Sequence, residues 1–309
     1  MIKEKLYLKA KTLEQAIYEA NAHIDSFRYI AGGTDVIVNK FQGNEESSYL
    51  IDISGIDELK NTFLIGNFLS IGSLVRLDDL KKNKHLVQHF PALLEAAHSV
   101  ASPMIRKTAT LGGNLLCENR CSFYNQSEWW REAVGYCLKC DGDICIATGG
   151  KKNCFSKFVS DTAVVLISMN ANIEVIENNI STIVPLESIY TGDGVSPRKF
   201  NKTAIIKSIQ LPMHEEFKSV YKKLRQRESL EFSSLTTAVT INKSGKIKIV
   251  LGGVDPKPVV VEGATKDEKE ELISQAIKKA RIVDNDVYSR EYRKEMIGVY
   301  LNRSFEELV

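Results

Sequence analysis

Leu13, Ala16, Ile17 and Ala20 fall on one face of a helix, and Thr12-Leu13-Glu14-Gln15 ahead of them has the spacing of a capping box. The pattern then shortens to strand-like runs. Phe27–Ile30 and Tyr49–Ile53 read as strands, separated by Ala31-Gly32-Gly33-Thr34-Asp35 and by Val36-Ile37-Val38 running into polar Asn39-Lys40. This β-α-β-loop-α-β rhythm predicts a small α/β subdomain over residues 1–55.

A second α/β region is expected over residues 56–204. Phe68–Ile71 reads as a strand with Gly72–Arg76 turning out of it. His89–Ser99 reads as a helix carrying Leu93, Leu94 and Ala97, broken by Ser102-Pro103. Asp161–Met169 is mostly apolar and fits a buried helix or strand. Ala171–Ile176 and Ile183–Pro185 read as a hairpin. After Pro197, Thr203–Gln210, Lys218–Arg225, Leu235–Ile241 and Ile247–Gly252 predict an antiparallel sheet, with amphipathic helices over Asp267–Arg281 and Ser289–Leu308 packed on it. The expected fold class is therefore α+β, with a C-terminal sheet-and-helix domain over residues 205–309.

Composition narrows the function classes. Of 309 residues, 43% are hydrophobic and 26% charged, which suits a globular chain rather than a disordered one. Forty-one Lys and Arg face 39 Asp and Glu, so a role in coating nucleic acid or an anionic membrane is not expected. Apolar runs such as Ala163–Ile167 are too short to span a bilayer. Met1–Lys5 opens with mixed charge and no apolar segment follows, so a secretory signal is not expected and a cytoplasmic location is.

The cysteines change the picture most. All six, Cys117, Cys121, Cys137, Cys140, Cys145 and Cys154, lie within 38 residues at intervals C-x3-C-x15-C-x2-C-x4-C-x8-C. A disulfide framework suits small exported domains. Thiolate ligation of a metal or cluster is the better reading. Only Cys137-Leu138-Lys139-Cys140 has a zinc-knuckle spacing, no second pair follows at ribbon distance, and no His is close. Four thiolates on an irregular loop can equally hold a [4Fe–4S] cluster, so spacing leaves zinc and iron–sulfur level. Buried free thiols are the bland alternative, disfavoured because Asn, Lys, Asp and Gly surround these positions.

Two glycine loops add a second theme. In Gly32-Gly33-Thr34, the glycines let backbone N–H groups turn toward an anion and the threonine adds a hydroxyl. The loop matches neither G-x-G-x-x-G nor a P-loop, and by itself a tripeptide is more simply a tight turn. Gly112-Gly113-Asn114 carries the same ambiguity. Together the two suggest a large phosphate-bearing cofactor.

Several segments, in order along nearly the whole chain, resemble the FAD-binding subunits of molybdenum hydroxylases, the group that includes bacterial carbon monoxide and xanthine dehydrogenases. They are Ala31–Asp35, Ile71–Leu74, Ala101–Arg106, Ala109–Asn114, Ser160–Ala163, Tyr221–Lys223 with Arg227 and Glu231-Phe232, and Gly252–Pro256. Asn114 and Asp161 stand 47 positions apart, which implies an insertion at about residues 117–157. This insertion is similar to the iron–sulfur insertion of 4-hydroxybenzoyl-CoA reductase β subunits, and intervals of 16, 8 and 9 pick out Cys121, Cys137, Cys145 and Cys154, leaving Cys117 and Cys140 spare.

The resemblance implies an FAD-binding fold of the PCMH type with a CO-dehydrogenase-flavoprotein C-terminal domain. It implies that Tyr29, Ile30, Ala31, Gly32, Gly33, Thr34, Asp35 and Val36 wrap the FAD pyrophosphate. Ala101, Thr110 and Asn114 join the cofactor-binding set, Asp161 hydrogen-bonds nearby, and Lys223 approaches from the C-terminal domain and favours the reduced, anionic flavin. Without the resemblance, Asp161 reads as a helix N-cap and Lys223 as a solvated strand lysine. The implied cofactors are FAD and [4Fe–4S], with molybdopterin and [2Fe–2S] on partner subunits in a dimer of heterotrimers. No residue of this chain is read as catalytic. The implied reaction is ferredoxin-linked reductive dehydroxylation of 4-hydroxybenzoyl-CoA, a step of aromatic degradation. Alternatives are the corresponding subunit of another molybdenum hydroxylase such as a xanthine dehydrogenase, a zinc-binding interaction module, or a stand-alone flavin oxidase.

Overall fold

The structure is a computed structural model that describes residues 6–264 and 268–308. The reading of Met1–Lys5 and the helix start at Asp267 lie outside the described residues.

The N-terminal unit is a three-stranded parallel sheet, ordered β1 (Leu6–Lys9), β3 (Tyr49–Asp52), β2 (Phe27–Ile30). Helix α1 (Leu13–Ala22) packs on it through Leu13, Ala16, Ile17 and Ala20, the four positions the periodicity selects. Thr12 accepts a hydrogen bond from the Gln15 N–H at 3.2 Å, while the Gln15 side chain reaches back to the Lys11 N–H at 2.9 Å. The box thus closes one residue further out than the usual pattern. A six-residue helix, α2 (Val36–Phe41), follows the first glycine loop.

The middle unit is a five-stranded antiparallel sheet, ordered β4 (Thr62–Ile65), β5 (Phe68–Gly72), β8 (Ile205–Pro212), β6 (Asn172–Glu177), β7 (Ile180–Pro185). The placement of β8 corrects the expectation that Thr203–Gln210 belongs to the C-terminal sheet. It is the central strand here, paired to β5 on one side and β6 on the other. Ile209 and Leu211 are fully buried beside Ile71 and Ile173. An apolar strand declares that it is buried but not in which sheet. The helix expected over His89–Ser99 is α4 (Pro91–His98), and an unexpected α3 (Lys84–His89) precedes it, separated because Pro91 lacks an N–H and starts a new helix. Short helices α5 (Pro103–Arg106) and α6 (Leu111–Leu115) precede the insertion, which contains α7 (Glu128–Val134).

Residues 161–168 form helix α8 (Asp161–Ser168), buried at every position. Its β-branched run leaves helix or strand open, and the cap decides: Ser160 accepts from the Ala163 N–H at 3.2 Å. The C-terminal sheet is β12 (Val259–Gly263), β11 (Ile247–Gly252), β10 (Leu235–Asn242), β9 (Phe217–Leu224), all antiparallel. Val164 of α8 shares a core with Ala238 and Val250. The outer helices α9 (Lys269–Lys279) and α10 (Arg290–Glu307) bury Leu272, Ala276, Ile297 and Leu301 against Val239, Ile249 and Leu251. The α+β expectation is met. No described helix is long and apolar enough to cross a membrane.

The insertion enters and leaves through an antiparallel bridge between Arg120 and Lys157, whose N–H groups donate to each other's carbonyls at 3.0 and 2.7 Å.

Candidate functional site

A cavity of about 970 Å³ lies where the three units meet, at the upper end of the ~300–1,000 Å³ usual for small-molecule sites. The first glycine loop forms one wall. A Cβ on Gly32 would sit 2.0 Å from the Thr108 carbonyl oxygen, so only glycine lets this loop lie against the Thr108–Ala109 backbone. Gly33 has φ +71°. The second loop packs in the same way: a Cβ on Gly112 would lie 2.7 Å from the Ser73 Cβ. Both loops therefore need glycine for close backbone packing as well as for any ligand.

The N–H groups of Gly33, Thr34 and Asp35 and the Thr34 hydroxyl have no acceptor among the described residues. Consecutive unpaired donors on a cavity wall suit a bound phosphate. Cavity size and this nest fit a dinucleotide cofactor such as FAD.

Of the other expected residues, Tyr29, Ala31, Val36, Ala101, Thr110, Asn114 and Asp161 also line the cavity, while Ile30 and Lys223 do not. The Ile30 side chain instead closes against Gly33. Tyr29 turns its hydroxyl to the Thr203 carbonyl at 3.1 Å. Asp35 leaves α2 uncapped and accepts from the Glu118 N–H at 2.9 Å and from Arg120. Thr110 caps α6 through the Gly113 N–H. The Asn114 side-chain Oδ1 accepts from the hydroxyls of Ser160 and Thr162 at 2.9 and 2.6 Å. Ala101 holds φ +44°, and its carbonyl accepts from Leu230, itself at φ +55°. Two residues in the left-handed region thus bond to each other across the rim.

Behind Asn114, Asp161 accepts from the Tyr221 hydroxyl at 2.9 Å and from Lys223 Nζ at 2.7 Å. Lys223 also donates to the Ser99 carbonyl at 3.1 Å. Ser160, not Asp161, is the cap of α8, and Lys223 is buried rather than solvated. Burial, then the Asp161 charge, pushes Tyr221 well above the ordinary tyrosine range.

The insertion contributes residues that carry no sequence signal of their own. Glu118 accepts from Arg28 at 2.9 Å and Lys139 at 3.1 Å, and pairs with Arg198 at 3.3 Å. Burial alone would raise its carboxyl, but Arg198, Lys139 and Arg28 outweigh it and hold Glu118 well below the ordinary carboxylate range. The Arg120 guanidinium stacks 4.5 Å from the centre of the Phe232 ring.

All six cysteines are free thiols. Cys121 lines the cavity, and its thiol also feels Cys137 and Cys145. The Cys140 thiol hydrogen-bonds to Cys137, and the Cys154 thiol to Cys145. The Ser156 N–H donates to the Cys154 sulfur at 3.4 Å, while the N–H groups of Tyr124 and Cys140 donate to the Cys121 and Cys137 carbonyls at 3.0 and 2.7 Å. Burial raises Cys121 to about 11 and Cys117 to about 12. Cys137 and Cys145 move down, because their partner thiols donate to them. Among the described residues no three His, Cys, Asp or Glu side chains converge as ligands of one metal ion. A cubane asks each thiolate for a different iron and needs no such convergence.

Residues 2–214 match the family described as FAD binding domain in molybdopterin dehydrogenase. The chain is 30% identical over 273 residues to the aldehyde oxidoreductase FAD-binding subunit PaoB of Escherichia coli, covering 83% of this chain and 85% of that one. It is 24% identical over 258 residues to the xanthine dehydrogenase FAD-binding subunit of Escherichia coli O157:H7, covering 82% and 75%. Its fold superposes on carbon monoxide dehydrogenase from Hydrogenophaga pseudoflava with a TM-score of 0.75, at 19% identity and over 98% of this chain and 96% of that one. With the paired glycine loops and the cavity between them, these matches show that the chain belongs to the family of FAD-binding domains of molybdopterin dehydrogenases.

Proposed function

We propose that this chain is a flavin and iron–sulfur electron-relay subunit, with FAD in the cavity, a [4Fe–4S] cluster on Cys121, Cys137, Cys145 and Cys154, and the substrate site on a partner subunit. The observation that carries the reading is Cys121, which belongs at once to the cavity wall and to the thiol nest. Bound there, FAD would exchange one or two electrons and the cluster one at a time. The chain's own part is to hold them. The free N–H groups of Gly33, Thr34 and Asp35 would receive the pyrophosphate. The Asp161–Lys223 pair fixes a buried ion pair at the cavity wall, and the Ser156 N–H, 3.4 Å from the Cys154 sulfur, favours a bound thiolate there. Cys117 and Cys140 stay outside the ligand set.

In its finer form the holoenzyme is a molybdenum-containing 4-hydroxybenzoyl-CoA reductase. It is driven by ferredoxin in the cytoplasm, with molybdopterin and [2Fe–2S] clusters on the partner subunits of a dimer of heterotrimers. The cysteine intervals within the insertion support this form. A second reading, supported by the names of the relatives, keeps the same relay but couples it to aldehyde or xanthine oxidation.

The test is anaerobic purification of the chain with its partners, followed by iron, sulfide and FAD analysis and a substrate screen. About four irons and one FAD per chain are expected, beyond those of any [2Fe–2S] subunit. Turnover of 4-hydroxybenzoyl-CoA supports the finer form, and turnover of aldehydes or xanthine the second. Colourless protein holding zinc and no iron would sink the relay.

A further inference from the structure

One buried ion pair, Glu118–Lys139, stands between the cavity and the cysteine nest. Glu118 lines the cavity, as do two of its cations, Arg28 and Arg198. Lys139 does not, and lies between Cys137 and Cys140 in the chain instead. Its side chain is 6% exposed and held from three sides. Glu118 lies at 3.1 Å, the Gly194 carbonyl at 2.8 Å, and the Tyr124 ring centre 5.1 Å from Nζ. Gly194 is in turn against the nest. Its N–H donates to the Cys154 carbonyl at 2.9 Å, and a Cβ there would lie 2.9 Å from the Cys154 sulfur.

We propose that Lys139 is a fixed cation that raises the reduction potential of the cluster, with Glu118 holding it in position. This rests on the relay reading. Reduction adds one negative charge to a cluster that is already anionic, and a confined cation in a dry site favours the more negative state. Arg28 and Arg198 line the cavity, and Arg198 also donates to the Cys117 carbonyl at 2.8 Å, whereas Lys139 is the member of this charge group bonded to Gly194, which packs on the Cys154 sulfur. The arrangement also lets Lys139 be neutralised without stranding a charge, because Glu118 keeps Arg28 at 2.9 Å and Arg198 at 3.3 Å.

The test compares Lys139→Met, Lys139→Gln and Lys139→Arg in the full chain, purified anaerobically with its partners. Each is checked for iron content and titrated potentiometrically with electron paramagnetic resonance as the readout of the cluster. The expected result is a shift to more negative potential in Lys139→Met and Lys139→Gln, with Lys139→Arg close to wild type. An unchanged or more positive potential in both neutral variants overturns the proposal. So does loss of iron from all three, arginine included, because Lys139 would then be a structural part of the loop. Absence of iron from the wild-type chain would overturn the relay reading itself.

Discussion

Lys223 Nζ lies 2.7 Å from the Asp161 carboxylate, with neither side chain more than 5% exposed, so a strand of the C-terminal sheet is pinned to the first turn of α8. Breaking a pair this deeply buried leaves a charge without a partner. Lys223→Met is expected to destabilise the fold by about 3–5 kcal/mol, and Asp161→Asn combined with Lys223→Met to recover a large part of it. Urea unfolding of both variants checks this. A double variant no more stable than the single one would show that the loss is packing rather than stranded charge.

Gly32→Ala places a methyl group on the Thr108 carbonyl. Relief requires the two loops to separate, at about 1–3 kcal/mol. The variant is expected to fold and to lose bound flavin, seen as loss of visible absorbance with far-ultraviolet circular dichroism retained. Full flavin occupancy would show that the loop spacing is not what shapes the cradle.

Glu118 has its folded carboxyl held below the unfolded value, so its charge network stabilises the fold fully above the ordinary Glu value of 4.5. That contribution is lost progressively as pH falls from 4.5 toward the lower folded value. Glu118→Gln is expected to be less stable at neutral pH and to show a flatter acid limb. Thermal unfolding between pH 3 and 7 reads the difference, and parallel acid limbs would place the acid sensitivity elsewhere.

Cys121→Ser and Cys154→Ser are each expected to remove most of the roughly four irons, while Cys117→Ser keeps them. Elemental analysis of anaerobic protein decides it. Iron loss on Cys117→Ser, with Cys121→Ser unaffected, would redraw the ligand set.

The parts of this fold legible in the sequence are those written in nearest neighbours. Helix α1 declares itself by its cap and its stripe, and the two glycine loops by composition. What stays hidden is relational. The strand at 205–212 looks like any buried strand, and its place between β5 and β6 depends on partners 29 or more positions away. Glu118 is unremarkable in sequence because its cations lie 90, 80 and 21 positions distant. The cysteine cluster advertises metal chemistry by density, but spacing does not tell zinc from iron. Only the fold brings the Gly194 turn against the Cys154 sulfur.

The Arg120–Lys157 bridge gives the chain a doorway. The segment threaded through it is tied down again where Ser122 donates to Asn285, Cys154 to Asp193 and Arg131 to Gln42, and Asp35 and Asp286 clamp the two doorposts to the rest of the molecule. No strand of the three sheets lies between Arg120 and Lys157, yet Cys121, Ser122, Asn125 and Gln126 belong to the cavity wall, so a tight turn spliced there would keep the sheets paired and strip the flavin socket of part of one side.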